Sequence, residues 1–201
     1  MKRRFSYPLV YCISEGDITA ANHHQKKQLI RDRVRRAAGR GVDLYQIREK
    51  DLSGRLLFDL ASAAVEAARG SETRILINGR ADIALAASAD GVHLPANGVP
   101  VRELRGIVPK DFLIGASTHS IAEAEAAKAA GADLVTFGPV FASPGKGEPT
   151  GPVKLREVAD ALGTFPVIAL GGVDEHNIAV VMEHGASGYA AIRYLNQLLD
   201  Q

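Results

Sequence analysis

The stretch FLIGASTHSIAEAEAAKAAGADLVTF, residues 112–137, decides the fold class. It begins with a short apolar run, Phe112–Ala116, which predicts a buried strand. Ser120 and Glu123 then have the spacing of a helix capping box, and an alanine-rich segment of helical composition follows. A second apolar run, Asp133–Phe137, predicts another strand. Because the chain passes from strand to strand through a helix, we expect the two strands to be parallel.

The same alternation extends outward from this unit in both directions. Predicted strands cover residues 9–13, 42–48, 74–78, 91–94, 112–116, 133–137, 167–170 and 188–192, with helical segments between them and after the last. Eight such units in succession predict an α/β fold, a (β/α)8 TIM barrel, as one domain over residues 1–201. The alternative is a doubly wound open sheet. That fold would be expected to carry a glycine-rich nucleotide-binding turn after strand one, where this chain has Ser14-Glu15-Gly16-Asp17.

The composition is that of a globular protein. Hydrophobic residues make up 46% of the 201 residues and charged residues 23%. No apolar run approaches the ~20 residues of a membrane span. The single cysteine, Cys12, excludes an intramolecular disulfide and a cysteine-based zinc site. A basic start before a short apolar run does not fit a secretory signal, so a cytoplasmic location is expected.

The charge is unevenly distributed although the net charge is only +1. Residues 1–40 contain ten Lys and Arg residues but three acidic residues. A basic helix there could contact RNA or a membrane surface, but a solvated outer helix face is the favoured interpretation. We therefore expect no nucleic-acid and no membrane partner. Exposed barrel helices often pair, so a homo-oligomer stays open.

The candidate site follows from the fold, because barrel enzymes place their active sites at the carboxyl ends of the strands. The polar and glycine residues at these ends are Gln46, Arg48, Lys50, Asn78, His93, Ser117, His119, Ser143, Lys146, Gly171, Gly172 and Arg193. Gln46, Arg48 and Lys50 alternate, so on an extended strand they point the same way. With Lys146 they predict a positive pocket for a phosphate or a carboxylate, unless Arg48 pairs with Glu49.

Two further features suggest a binding group and a catalytic group. Gly171 and Gly172 let backbone N–H groups approach a ligand, and the loops after strands seven and eight often hold phosphate in this fold. A simple tight turn is the alternative. Asp174 is predicted to cap the helix that follows. His119 lies just before a helix, where a neutral imidazole can accept and return a proton, although a solvated loop histidine is the alternative. His93 is expected to be a packed barrel residue.

Acidic residues are missing where a metal would need them. The third predicted strand is followed by Asn78-Gly79, and the fourth by Pro95-Ala96-Asn97-Gly98. Without Asp or Glu at either place a magnesium site is hard to build. The chain also lacks H-E-x-x-H, P-loop and G-x-S-x-G motifs. We expect no metal and no other cofactor.

Several motifs, in this order and spacing, resemble the thiamine phosphate synthase/TenI family of (β/α)8 barrels over nearly the whole chain. They are QIREK at 46–50, INGRADIA at 77–84, GVHL at 91–94, STHS at 117–120, GPVF at 138–141 and ALGGV at 169–173. One branch, the synthase, joins a pyrimidine diphosphate to a thiazole phosphate and releases pyrophosphate. The residues that match its pyrophosphate-binding set are Gln46, Arg48, Lys50, Asn78 and Lys146. The family also implies magnesium held by two aspartates, whose places align with Gly79 and Gly98.

The other branch, the thiazole tautomerases, aromatises a thiazole phosphate carboxylate by moving a proton, without a metal. The 77–84 stretch and His93-Leu94-Pro95 resemble this branch, and His119 matches the histidine that carries the proton. The expected function is therefore a metal-independent tautomerase acting on a phosphorylated thiazole. The alternatives are a synthase with an altered magnesium site and a non-catalytic thiamine-precursor binding regulator. Arg193 stands where the family usually has Ser, and could clamp a phosphate or point outward.

Overall fold

The eight strands form one closed barrel in a computed structural model that describes residues 7–201. All neighbouring strands are parallel and follow the sequence order, with β8 returning to β1. The strands are β1 (Leu9–Ile13), β2 (Leu44–Ile47), β3 (Arg74–Asn78), β4 (Gly91–Leu94), β5 (Leu113–Thr118), β6 (Leu134–Phe137), β7 (Val167–Leu170) and β8 (Gly188–Ala191). The helices are α1 (His23–Gly39), α2 (Gly54–Ala68), α3 (Ala81–Ala86), α4 (Val101–Arg105), α5 (Ile121–Ala130), α6 (Gly151–Leu162), α7 (Ile178–Glu183) and α8 (Arg193–Asp200).

The predicted (β/α)8 barrel is confirmed, and the open sheet is wrong. Two differences matter for the site. The second strand ends at Ile47, so Arg48 and Lys50 lie in the loop after it and not on the strand. Asp174 does not cap α7, whose first residue is Ile178. Its carboxylate instead accepts from the His176 N–H at 3.0 Å, in a turn before the helix.

The barrel interior is a packed core at its lower end and polar at its upper end. Inward-facing residues alternate along each strand, and the apolar ones form one cluster: Leu9, Tyr11, Ile13, Leu44, Leu76, Leu113, Leu134, Ile168 and Ala190. Above this cluster the same alternation brings Gln46, Asn78 and His93 to the carboxyl ends of their strands. The barrel therefore buries its lower layers and leaves a polar floor beneath the loops, at what we call the mouth.

Three arginines in or just after α1 connect this helix to other elements of the fold. Arg33 pairs with Glu15 and Asp200, and is only 4% exposed. Arg36 and Arg40 donate to backbone carbonyls of α8. The basic residues Lys2, Arg3 and Arg4 lie outside the described residues. No helix within residues 7–201 has the length and apolar character that a bilayer crossing needs.

Candidate active site

A cavity of about 650 Å³ opens at the mouth beside the ends of β7 and β8. Four of the predicted binding residues line it: Ser143, Gly171, Gly172 and Arg193. Arg193 is the first residue of α8, and its side chain makes no hydrogen bond or ion pair with residues 7–201. The structure thus brings these four predicted binding residues together, and it places Arg193 at the cavity wall.

Several residues that line this cavity have backbone N–H groups without a backbone acceptor. Among the described residues, no backbone acceptor takes the N–H groups of Gly172, Val173, Arg193 or Tyr194. The last two belong to the first turn of α8, where the helix dipole is positive and no side chain caps the helix. Unused N–H groups at a helix N-terminus, with an arginine beside them, suit a phosphate.

The glycine pair is required by close packing as well as by the turn. Gly171 and Gly172 have φ values of +96° and +65°. A Cβ at Gly171 would lie 2.5 Å from Pro139 Cα, and one at Gly172 would lie 2.5 Å from the Ala142 carbonyl oxygen. The loop after β6 therefore rests directly on the loop after β7, and only glycine fits between them.

A second polar group lies across the mouth, at the ends of β2 and β3. Gln46 is buried, and its Nε2 donates to Asn78 Oδ1 at 3.0 Å. Arg48 is partly buried, with its guanidinium against Gly16. That guanidinium makes no hydrogen bond or ion pair with any residue in 7–201. An unpaired, partly buried cation beside an amide is suited to bind an anion.

The alternative in which Arg48 pairs with Glu49 is wrong. The Glu49 carboxylate accepts from Ser14 Oγ at 2.6 Å and from the N–H groups of Gly16 and Ile18 at 3.1 and 2.9 Å. Burial raises the pKa of Glu49, an effect that these hydrogen bonds oppose. Glu49 therefore fastens the loop after β1 and leaves Arg48 available.

The two predicted lysines are less closely held than Arg48. Lys50 and Lys146 are both exposed, and neither ammonium has a partner within the described chain. Lys146 lies in the loop after β6, whose turn is closed by its N–H donating to the Ser143 carbonyl at 3.1 Å. Neither lysine lines the cavity. The structure does not gather them into one pocket with Arg48, and their part in binding stays a prediction.

His119 is exposed at the mouth, in the turn between β5 and α5. Its Nδ1 lies 2.6 Å from the Gly138 carbonyl oxygen, which can only accept, so Nδ1 carries a proton. In the neutral ring the lone pair is then on Nε2. The predicted capping residues are in place, because the Glu123 N–H donates to Ser120 Oγ at 3.2 Å, and the Glu123 carboxylate accepts from the His119 N–H at 2.7 Å. His119 is thus an oriented base.

His93 is buried in the barrel, as expected of a packed residue, and it is hydrogen-bonded on both ring nitrogens. Nδ1 lies 3.1 Å from the Tyr11 hydroxyl, and Nε2 lies 3.0 Å from Ser117 Oγ and 3.3 Å from Thr136 Oγ1. Burial, followed by the nearby charge of Arg48, lowers the pKa of His93 to about 4. Sequence reasoning missed Tyr11 and Thr136, although their alternation with apolar neighbours marks them as inward-facing.

The magnesium that the family resemblance implies does not fit the residues present. The two places are Gly79 and Gly98, and a Cβ on either would lie 3.6 or 3.0 Å from Pro95 Cδ. Neither position carries a carboxylate, and Pro95 crowds a side chain at Gly98 but not at Gly79. The nearby Asp82 is held by Arg80 at 2.8 and 2.6 Å, and Arg80 lowers its pKa. Within residues 7–201 no three His, Cys, Asp or Glu side chains are grouped to hold a metal.

Comparison with known proteins identifies the family. The family model described as thiamine monophosphate synthase matches residues 17–195. The thiamine-phosphate synthase of Methanoculleus marisnigri is 44% identical over 164 residues, which cover 80% of this chain and 77% of the relative. The thiamine-phosphate synthase of Chlorobium luteolum is 41% identical over 164 residues, which cover 80% of this chain and 77% of the relative.

Solved structures agree with this result. The thiamine phosphate pyrophosphorylase of Pyrococcus furiosus superposes with a TM-score of 0.79 at 25% identity, covering 96% of this chain and 92% of that one. A 3-hexulose-6-phosphate synthase, at 16% identity and a TM-score of 0.64, shares the fold alone. The resemblance drawn from the motifs is therefore confirmed, and the chain belongs to the thiamine monophosphate synthase family of thiamine-biosynthesis enzymes.

Proposed function

We propose that the chain joins a pyrimidine diphosphate to a thiazole phosphate and releases pyrophosphate. The observation that carries the proposal is a pair of anion-binding regions on opposite sides of the mouth. One is the cavity with the backbone N–H of Gly172 and the Arg193 side chain, and the other is the end of β2 and β3, with the unpaired Arg48 and the hydrogen-bonded amides of Gln46 and Asn78. Two phosphorylated substrates need two such regions. The relatives that are 44% and 41% identical carry the synthase name, which supports this transferase over the tautomerase expected from the motifs.

In this proposal the residues act by position and charge. The thiazole nitrogen forms a bond to the pyrimidine carbon that bears the diphosphate, the carbon–oxygen bond breaks, and pyrophosphate leaves with the electron pair. Arg48, assisted by Lys50 and Lys146, offsets the charge that develops on the leaving group. The cavity beside α8 holds the thiazole phosphate and so orients the ring nitrogen. No step passes through a metal, because the donor set does not fit one.

A second candidate is the tautomerase, which one specific observation favours. The Gly138 carbonyl fixes the tautomer of the exposed His119, so the lone pair of the neutral ring is on Nε2. A single neutral imidazole there could remove the ring proton of a thiazole phosphate carboxylate and return a proton to its exocyclic carbon. Glycine at positions 79 and 98 is compatible with this reaction, since it needs no metal.

The test supplies purified protein separately with the two synthase substrates and with the thiazole phosphate carboxylate tautomer. We expect formation of thiamine phosphate and pyrophosphate. Arg48→Gln should lower kcat/KM by about tenfold or more, because it removes a charge-assisted contact to the leaving group. Arg69→Gln is the matched control, an exposed arginine that follows the last turn of α2. Wild-type transferase activity in Arg48→Gln would contradict the assignment of Arg48.

The second arm uses His119→Asn, which retains polarity but cannot shuttle a proton. If the chain is a tautomerase, this variant loses about 10²–10⁴-fold in turnover while its affinity changes little. If the chain is the transferase, His119→Asn retains thiamine phosphate formation. Tight binding of thiazole phosphate without turnover in either assay would leave the non-catalytic regulator as the function.

A further inference from the structure

A connected series of hydrogen bonds runs beneath the second anion region. It passes from Ser117 and Thr136 to His93, from His93 to Tyr11 at 3.1 Å, from Tyr11 to Gln46 at 3.0 Å, and from Gln46 to Asn78 at 3.0 Å. The middle members, His93, Tyr11 and Gln46, are at most 3% exposed. The series ends at Asn78, which is partly exposed at the mouth. We call these residues the interior relay.

Donor and acceptor chemistry gives the relay a direction. The Tyr11 hydroxyl donates its one proton to Gln46 Oε1, so its oxygen is left to accept from His93 Nδ1–H. His93 Nε2 then carries the lone pair and accepts from the hydroxyls of Ser117 and Thr136. Gln46, with its oxygen engaged by Tyr11, turns its Nε2–H toward Asn78 Oδ1.

The direction decides which end of the Asn78 amide faces a ligand. With Oδ1 occupied by Gln46, the Nδ2 donors of the partly exposed Asn78 remain for the mouth. The reversed relay would point an acceptor there, which an anionic ligand would avoid. Space for the imidazole is built in, because a Cβ on Gly115 would lie 2.7 Å from His93 Nδ1.

We propose that Tyr11 and His93 are positioning residues, which hold the Asn78 amide with its N–H groups toward the anionic leaving group of the substrate. The proposal rests on the proposed function, since that supplies the anion. Neither residue touches the ligand. Their effect passes through the side-chain amides of Gln46 and Asn78. Without these contacts each amide could exchange the positions of its oxygen and nitrogen at little cost in free energy.

The direction is tested first without any ligand. Two-bond ¹H–¹⁵N correlation of the His93 ring in the full chain should report the Nδ1–H tautomer. Tyr11→Phe should shift the Asn78 side-chain amide resonance, because it removes the donor that orients Gln46. Tyr45→Phe is the matched control. Tyr45 is an equally buried tyrosine of the neighbouring strand, but its hydroxyl donates to Asn196 at 3.3 Å and lies outside the relay. An Nε2–H tautomer would overturn the proposal.

The consequence is tested by calorimetric titration with inorganic pyrophosphate. Tyr11→Phe should weaken binding about five- to tenfold, the effect of roughly one hydrogen bond, and Tyr45→Phe should leave it unchanged. On an Asn78→Ala background Tyr11→Phe should have no further effect. His93→Asn keeps a donor near the Nδ1 position and should bind better than His93→Leu, while thermal unfolding verifies that each variant is folded.

The outcomes separate the relay from the proposed function. If Tyr11→Phe weakens pyrophosphate binding equally with and without Asn78, its role is only structural and the proposal is overturned. If the wild-type chain does not bind pyrophosphate at all, the proposed function is contradicted. The Asn78 side-chain amide resonance then decides whether the relay exists. Tyr11→Phe must shift this resonance, and Tyr45→Phe must leave it unchanged.

Discussion

At the scale of single residues, two histidines near the mouth have different environments, one buried and one exposed. His93 is buried, with Arg48 nearby, and burial keeps its pKa at about 4. His119 is exposed, and its tautomer is set by one carbonyl oxygen. A buried imidazole that stays neutral can order amides, whereas an exposed one can exchange a proton with a ligand.

The pKa of His93 predicts an acid-dependent loss of stability. In the unfolded chain a histidine takes up a proton below about pH 6.5, whereas native His93 resists protonation down to about pH 4. The unfolded state therefore binds more protons in this window, so the contribution to stability is complete above about pH 6.5 and falls as the pH falls. We expect the wild type to lose about 3 kcal/mol more than His93→Gln between these pH values. Urea unfolding of both proteins across this range measures the difference, and parallel curves would show that His93 titrates normally.

At the scale of elements, polar contacts connect the first and last helices beside the seam where β8 pairs with β1. Arg33 of α1 donates to Asp200 at 2.7 and 2.6 Å, to Glu15 at 2.9 Å and to Asn196 at 3.0 Å. Asn196 in turn donates to the Ile13 carbonyl at 2.7 Å. Helices α1 and α8 are thereby connected to β1, and the cavity at the mouth lies beside the first turn of α8.

Removing Arg33 should loosen that closure. Arg33→Ala removes the arginine donor of two carboxylates and one of the two donors to Asn196 Oδ1, so we expect the free energy of unfolding to fall by about 2–4 kcal/mol. Arg35→Ala is the control, because its pair with Asp32 at 3.2 Å is half exposed and contributes about 0.5 kcal/mol or less. Chemical unfolding of both variants measures these values. If both variants lose the same free energy of unfolding, α8 docks against α1 by apolar contacts alone.

At the scale of the whole molecule, the loops at the mouth carry several cations, and the acidic residues Asp174 and Glu175 line the cavity beside the ends of β7 and β8. The cations without a partner in residues 7–201 are Arg48 and Lys50 of the loop after β2, Lys146 of the loop after β6 and Arg193 at the start of α8. The places that the family uses for magnesium hold glycine beside Pro95. If the chain is the proposed transferase, side chains at the mouth offset the charge on the leaving diphosphate, and the activity should not depend on magnesium.

We expect EDTA to leave the activity unchanged and added magnesium to raise it little. Gly79→Asp supplies one of the two missing carboxylates and is the variant to compare with the wild type. Its Cβ would meet Pro95 at an ordinary 3.6 Å, and aspartate tolerates the φ of +64° there. Gly98→Asp is less suitable, since its Cβ would approach Pro95 to 3.0 Å. Initial rates with EDTA and with magnesium test this for the wild type and Gly79→Asp. Loss of wild-type activity in EDTA would mean that ligands other than these residues bind a metal.

The sequence by itself determined the barrel and the polar ends of its strands. Apolar runs, their spacing and the Ser120 capping box act over a few residues, and α1 and α8 lie where their helical periods place them. Which groups become partners was decided by the tertiary structure. Glu49 binds the loop after β1, and Tyr11 lies against His93 across 82 residues of chain. Such pairings depend on barrel closure and register, which bring distant residues within hydrogen-bonding distance and which no local pattern encodes.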